Sequence, residues 1–381
     1  MQPISPYRVR CGNTNDEDSS HPSQPNARGA PTTRPDAADL PDLRDPSLGI
    51  TTTHLMQQAT VDSVRTRVRD QAMQQGLNAF RDAMTPEFHT PGGPAPVPIT
   101  FQMTGAYSNQ PSLAAVTSDP KVIAAAHRVG IQDGDLPRIL VGRGTPDEIR
   151  RLTQSLIDRC GLPRDTGLSV AERVRKLMFD HHIGIDCAGY VQEGYLAVTG
   201  LTRQQAGFAR DPRNECLDRL STDRRYRSIE PGQLRPGDIG LLGPPSEGQA
   251  GHRVIVYDRH QASVQEMDHL SARGPDGAKF SAGGPVSVVV VDSSCGCGIA
   301  SRADASPQAQ SQRPRAPPGD PQRGGVTRTV WYYNGQTGQW GSDGPSGFQI
   351  TPKGPYDHPL VGFYRRNDSE SLDLPALKRA S

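Results

Sequence analysis

Cys187 is the residue whose sequence neighbours favour covalent chemistry most strongly. It lies in GIDCAGYV (184–191), directly after Asp186 and at the start of an apolar, helix-like segment. This pattern predicts a helix N-terminus, where unsatisfied backbone N–H groups and the helix dipole favour negative charge. We therefore expect a lowered thiol pKa, a nucleophilic thiolate, and N–H groups that stabilise an oxyanion. Asp186 is expected to cap this helix rather than to act as a catalytic acid.

A nucleophilic cysteine needs an imidazole that accepts and returns its proton. His252 is the candidate, because it begins the strand-like segment HRVIVYD (252–258) after a turn. A third polar residue usually orients the imidazole. Asp292 is the candidate for this role, since it follows four consecutive valines that are typical of a buried strand.

These residues resemble the motifs of the NlpC-type papain-like cell-wall peptidases. In that family Asp-Cys-Ser-Gly-aromatic-aliphatic is followed by Pro-Gly-Asp and then by a strand that begins with His. The corresponding positions here are 186–191, 236–238 and His252, and the resemblance covers residues 145–366. Two positions depart from the family: Ala188 replaces its serine, and the separation between His252 and Asp292 is long, which leaves His269 as an alternative third residue. The resemblance implies a catalytic triad and three supporting residues, namely Cys187, His252 and Asp292 with Asp186, Gly189 and Tyr190.

The resemblance also implies a function. We expect a cysteine amidase or endopeptidase that cleaves peptidoglycan stem peptides, without a cofactor or a metal. One alternative is a papain-like effector that cleaves, deamidates or acyl-transfers on proteins or lipids of a host or competitor. The other is a catalytically silent binding module, which the Ala188 substitution favours.

Other motifs give weaker indications. Cys295-Gly-Cys297 suggests a metal site or a disulfide, but its spacing is short for a zinc knuckle. Most of the six cysteines are expected to be reduced thiols. His181 and His182 end a predicted helix, where a partly protonated imidazole suits the dipole. An aromatic group either lines a substrate groove or belongs to the core of a sheet; it comprises Trp331, Tyr332, Tyr333 and Trp340.

Composition limits the classes of function. The 381 residues include 40 Gly and 35 Pro, and only 34% are hydrophobic, so much of the chain is expected to pack no core. The net charge of +1 gives no indication of nucleic-acid or anionic-membrane binding. The sequence shows neither an ordinary signal peptide nor a membrane span. We expect synthesis in the cytoplasm and delivery by a specialised secretion route, as for a bacterial effector or toxin.

The chain is predicted to contain one α+β domain with a papain-like arrangement, in which helices precede an antiparallel sheet. Capping boxes at Thr145 and Ser169 begin two helices, and the catalytic helix follows them. Strands are expected near 238–242, 253–258, 286–292, 327–333 and 360–365.

Around that domain, residues 1–50 are predicted to be a disordered tail and 51–99 an amphipathic helix followed by a Pro-rich linker. The catalytic domain is assigned to 100–366 with a disordered insert at 301–325, and a polar tail occupies 367–381. The helix either packs on the catalytic domain or, together with the tail (1–84), contacts secretion machinery or a chaperone.

Overall fold

A computed structural model describes residues 46–102, 113–165, 167–208, 219–243, 251–298, 323–344, 347–351, 360–372 and 374. Within these residues helices precede an antiparallel sheet, which confirms the α+β class. Most of the tail 1–50, of the insert 301–325 and of residues 373–381 lies outside the described part. Of the tail, residues 46–50 are described and are helical. Of the insert, residues 323–325 are described and begin a strand.

The first helix, α1, spans Pro46–Ala83 and begins earlier than predicted. The chain divides into two compact units between residues 68 and 69, so this helix contributes to both. The large apolar side chains of its first part are exposed; they are Leu55, Met56, Val61, Val64 and Val68. Leu77 and Phe80 in its second part are buried in the second unit. The predicted apolar stripe is therefore buried only in its second half.

The predicted Pro-rich linker at 91–98 is wrong. This segment contributes to a hairpin of two antiparallel strands, β1 (Glu87–Thr90) and β2 (Gly93–Pro96). A positive φ of 102° at Gly93 and a 2.7 Å hydrogen bond from the Thr90 hydroxyl to the Gly93 carbonyl form the turn. Phe88 and Val97 are fully buried, so the segment packs as part of the core.

Between β2 and the helix that carries Cys187, the described chain forms five helices: α2 (Leu113–Thr117), α3 (Pro120–Arg128), α4 (Leu136–Leu140), α5 (Pro146–Cys160) and α6 (Val170–Asp180). Both predicted capping boxes are confirmed. Thr145 exchanges hydrogen bonds with Glu148 at the start of α5, and Ser169 does so with Glu172 at the start of α6. The apolar faces of α5 and α6 belong to the same hydrophobic core as buried residues of the next helix.

Helix α7 spans Cys187–Thr199 and ends at Gly200, which has the left-handed φ of 69° expected for a C-terminal glycine. Two short helices follow, α8 (Arg203–Ala206) and α9 (Arg219–Thr222). Most of α7 is buried, and it packs on two central strands of the sheet, β5 and β6.

The described sheet has eight strands in the order β3-β10-β4-β5-β6-β7-β8-β9, and all neighbours are antiparallel. Their bounds are β3 Tyr226–Ile229, β4 Ile239–Leu242, β5 His252–Gln261, β6 Val286–Gly298, β7 Arg323–Asn334, β8 Trp340–Gly344, β9 Gly347–Thr351 and β10 Leu360–Arg366. The five predicted strands are confirmed. Sequence reasoning missed β3, β8 and β9, and also two helices between β5 and β6, α10 (Val264–Ser271) and α11 (Pro275–Ala282).

The two faces of the sheet at β4 and β5 bury different clusters. On the face that we call the α7 face, Leu241 and Ile255 pack with residues of α7. On the opposite face, Leu242 and Val254 pack with Trp331. Three of the four predicted aromatic residues are fully or almost fully buried, and Trp331 lies edge-on to Trp340 at 6.1 Å. The aromatic group therefore forms sheet core rather than a groove.

Candidate functional site

Cys187 is the first residue of α7, as predicted. The Asp186 carboxylate caps this helix by accepting a 2.5 Å hydrogen bond from the Gly189 N–H, which confirms the predicted capping role. Among the described residues, no hydrogen-bond acceptor contacts the N–H groups of Cys187 and Ala188. These two donors lie next to the thiol, at the positive end of the helix dipole.

The Asp186 cap is held by a residue that sequence reasoning missed. Arg143 Nε donates to both carboxylate oxygens of Asp186, at 3.1 and 3.3 Å, and Arg143 Nη1 donates to the Gln192 side chain at 3.2 Å. The Asp186 N–H in turn donates to the Gly142 carbonyl at 3.1 Å. The Gly-Arg-Gly segment at 142–144 is therefore the support of the cap.

The Gly142 segment approaches α7 more closely than a side chain would permit. A Cβ atom on Gly189 would overlap the Gly142 carbonyl oxygen. Gly142 itself has a φ of 84°, and a Cβ there would lie 2.7 Å from the Asp186 nitrogen. Gly189, predicted as a supporting residue, thus acts by the absence of a side chain.

The predicted low pKa of Cys187 is wrong for this structure. Only 7% of Cys187 is exposed, and burial, together with the adjacent Asp186 carboxylate, raises the pKa of the thiol to about 11. The Arg253 N–H, which lies against the sulfur, and the charges of Arg143 and Arg253 lower the thiol pKa but do not offset the first two effects. Burial therefore outweighs the helix N-terminus.

Burial and neighbouring charges also have opposite effects on the pKa of the Asp186 carboxyl. Burial raises its pKa, whereas the Arg143 charge, the Gly189 N–H and the Arg253 charge lower it. Burial is the largest of these effects, so the pKa of the Asp186 carboxyl is raised overall, although two arginine charges oppose it.

The strand register places the predicted base, His252, on the face of the sheet opposite to α7. Residues paired across antiparallel strands point to the same face of a sheet, and successive residues alternate. His252 pairs with Leu242, which packs on the opposite face. Arg253 pairs with Leu241 on the α7 face and is buried. Arg253 thus takes the place at which an imidazole was expected, and a guanidinium cannot act as a base near neutral pH.

Asp292 is fully buried, but its described partner is an arginine. Arg328 donates to its two carboxylate oxygens at 2.7 and 2.8 Å from the directly opposed position on β7. Arg328 also donates to Asn78 at 3.0 Å and stacks on the Tyr257 ring, 3.3 Å from its centroid. No hydrogen bond joins Asp292 to the His252 ring among the described residues, and the orienting role of Asp292 stays a prediction.

The other two predicted residues, Tyr190 and His269, differ in burial. Tyr190 is fully buried against the Phe80 ring, and no hydrogen bond to its hydroxyl is found among the described residues. His269 is exposed on α10, whose Leu270 packs with Phe280 and not with α7. Its role as an alternative third residue stays a prediction.

The two histidines that precede the site have local partners. His181 Nδ1 lies 3.1 Å from Asp119, and the Gln102 amide donates to His182 Nδ1 at 3.0 Å. Burial lowers the pKa of His182. With Asp180, Ala115 and Val116, these two histidines and Asp119 line a cavity of about 150 Å³ that Cys187 does not line.

The cysteines and acidic residues offer no metal centre in the described part of the chain, where no group of three or more His, Cys, Asp or Glu side chains is arranged to hold an ion. Cys160 and Cys187 are free thiols. Cys295, for which the sequence suggested a metal site or a disulfide, forms a disulfide.

No family model, curated protein or solved structure matches this chain. In the part that the structure describes, none of the helices has both the length and the apolar character that crossing a membrane requires.

Proposed function

We propose that the protein is a cysteine amidase or endopeptidase in which Cys187 is the nucleophile. One observation carries this proposal: Cys187 begins a capped helix that packs on the central strands, beside two N–H groups that contact no described acceptor. A helix that carries a cysteine at its N-terminus and packs on an antiparallel sheet resembles the papain-like arrangement.

In the proposed reaction the Cys187 sulfur attacks the amide carbonyl, and the N–H groups of Cys187 and Ala188 stabilise the oxyanion. The C–N bond then breaks, the amine leaves with a proton, and a thioester remains on Cys187. Water hydrolyses the thioester and regenerates the thiol. His252 remains the predicted carrier of the proton, which requires its ring to reach the α7 face of the sheet. Asp292 remains the predicted residue that orients it.

The proposed substrate is the stem peptide of peptidoglycan, and the support for it is the likeness of the 186–191, 236–238 and 252 motifs to the NlpC-type peptidases. Delivery as an effector or toxin is proposed on the composition of residues 1–50. A docking role for residues 1–84 is part of the same proposal.

A catalytically silent binding module is the second candidate. Two observations favour it: the placement of His252 on the opposite face of β5, and the burial that raises the thiol pKa to about 11. A silent module would bind the same peptides without changing their mass.

The test is incubation of the purified full chain with peptidoglycan sacculi, followed by mass analysis of the released muropeptides. We expect stem-peptide fragments from the wild type and from Cys160→Ala, which removes an exposed thiol. Cys187→Ala should release none, because no other described thiol lies at α7. Binding to sacculi without any release by the wild type would reject the amidase and support the silent module.

A further inference from the structure

Arg143 is the middle residue of the turn at 142–144 and connects this turn to the start of α7. Its side chain is 11% exposed and contacts the carboxylate of Asp186, the N-cap of α7, and the side chain of Gln192 in the second turn of that helix. Its backbone forms an isolated bridge with Ile185, the residue before Asp186. Arg143 thus contacts the Asp186 cap, the residue before that cap and the second turn of α7.

Arg143 is itself fixed by further contacts. Arg138 Nη1 donates to the Arg143 carbonyl at 2.6 Å, and Arg138 is ion-paired with Glu148. On the other side, Arg203 donates to Gln192 at 2.8 Å and is ion-paired with Glu193. The guanidinium therefore lies in a network of largely buried charges rather than on a solvated surface.

The charges that face the thiol come from three elements. Asp186 precedes α7 and raises the pKa of Cys187; Arg143 precedes α5, Arg253 belongs to β5, and both lower it. Arg143 also lowers the pKa of the Asp186 carboxyl. A single guanidinium thus acts on the cap and on the thiol at once.

We infer that Arg143 is the positioning residue of this site: held against the carboxylate of the residue before Cys187, its guanidinium fixes the Asp186 cap and places a positive charge at the start of α7. This role rests on the proposed function in so far as it assigns the reactive group to Cys187. Fixing the cap requires the planar guanidinium of arginine. The effect on the thiol requires only a positive charge.

The effect of the charge is tested in an Asp186→Asn background, because Asn also caps helices and the buried carboxylate is then removed. The measurement is the rate of iodoacetamide alkylation of Cys187 at pH 8, with the exposed Cys160 as internal reference. Asp186→Asn should react faster than the wild type. Adding Arg143→Gln should slow the reaction about tenfold, which corresponds to a rise of about one unit in the thiol pKa, whereas adding Arg143→Lys should change it less than about threefold.

The effect on the cap is tested in the native background by hydrogen exchange of the Gly189 amide, which donates to Asp186. Arg143→Gln should lose most of the protection at Gly189, and Arg143→Lys should retain part of it. If Arg143→Gln does not fold, because Asp186 is left buried without its partner, the double variants decide the question, since Asp186→Asn with Arg143→Gln contains neither charge.

Equal alkylation rates for the Gln and Lys variants in the Asp186→Asn background would overturn the inference. Neither readout uses a substrate. A protein that releases no muropeptides but shows these alkylation rates would therefore refute the amidase and leave the positioning role of Arg143 intact.

Discussion

Gly189→Ala is expected to destabilise the fold by about 3 kcal/mol or more, although alanine is the better helix former by about 1 kcal/mol. The added Cβ would overlap the Gly142 carbonyl oxygen, which is backbone and accepts a hydrogen bond from the Asp186 N–H. Either α7 or the segment 142–144 has to move, and the cap is disrupted in both cases. Urea unfolding followed by circular dichroism measures the change.

The matched control is Gly194→Ala in the same helix. Its Cβ would lie 3.1 Å from the Phe80 ring, a side chain that can shift by a few tenths of an ångström. We expect a change below about 1 kcal/mol, because the gain in helix propensity offsets the tight contact. Similar losses of stability in the two variants would contradict the close approach of Gly142.

Arg328→Leu is expected to cost about 3–5 kcal/mol of unfolding free energy, because it leaves the Asp292 carboxylate buried without a counter-charge. Asp292 is fully buried and Arg328 is 10% exposed, so water cannot replace the lost hydrogen bonds. The control is Arg150→Leu, which removes an exposed partner of Asp147 and should change stability by less than about 1 kcal/mol.

The double variant Arg328→Leu with Asp292→Leu should recover most of that loss, since apolar side chains that face each other across antiparallel strands pack well. A double variant as unstable as Arg328→Leu alone would show that Asp292 is not the reason for the loss. The same double variant tests Asp292 in catalysis, because it removes the proposed orienting carboxylate without leaving a buried charge.

The elements that the sequence predicts best are those determined by local signals. The capping boxes at Thr145 and Ser169, the helix that starts at Cys187 and ends at Gly200, and the five apolar strands follow from patterns of three to eight residues. The hairpin at 87–96 was missed because its Pro- and Gly-rich composition suggests a linker. Its strands depend on the burial of Phe88 and Val97 in a distant core.

The site was predicted only in part, because its geometry depends on contacts that are remote in sequence. Arg143 is 43 positions from Asp186, and Arg328 is 36 positions from Asp292. The choice between His252 and Arg253 depends on strand register, and a shift of one residue moves a side chain to the other face. A helix N-terminus is visible in the sequence, whereas the burial that raises the thiol pKa is not.

The most direct test concerns the protonation state of the Cys187 thiol, which is controlled by burial beside the Asp186 carboxylate. The measurement is the alkylation rate of Cys187 in the folded wild type from pH 7 to pH 10, with Cys160 as internal reference. With a thiol pKa of about 11, Cys187 should react more slowly than Cys160 at pH 7, and its rate should still rise about tenfold per pH unit at pH 10. A rate that reaches its plateau with an inflection below about pH 8.5 would contradict the account and would show that Cys187 is an activated thiolate.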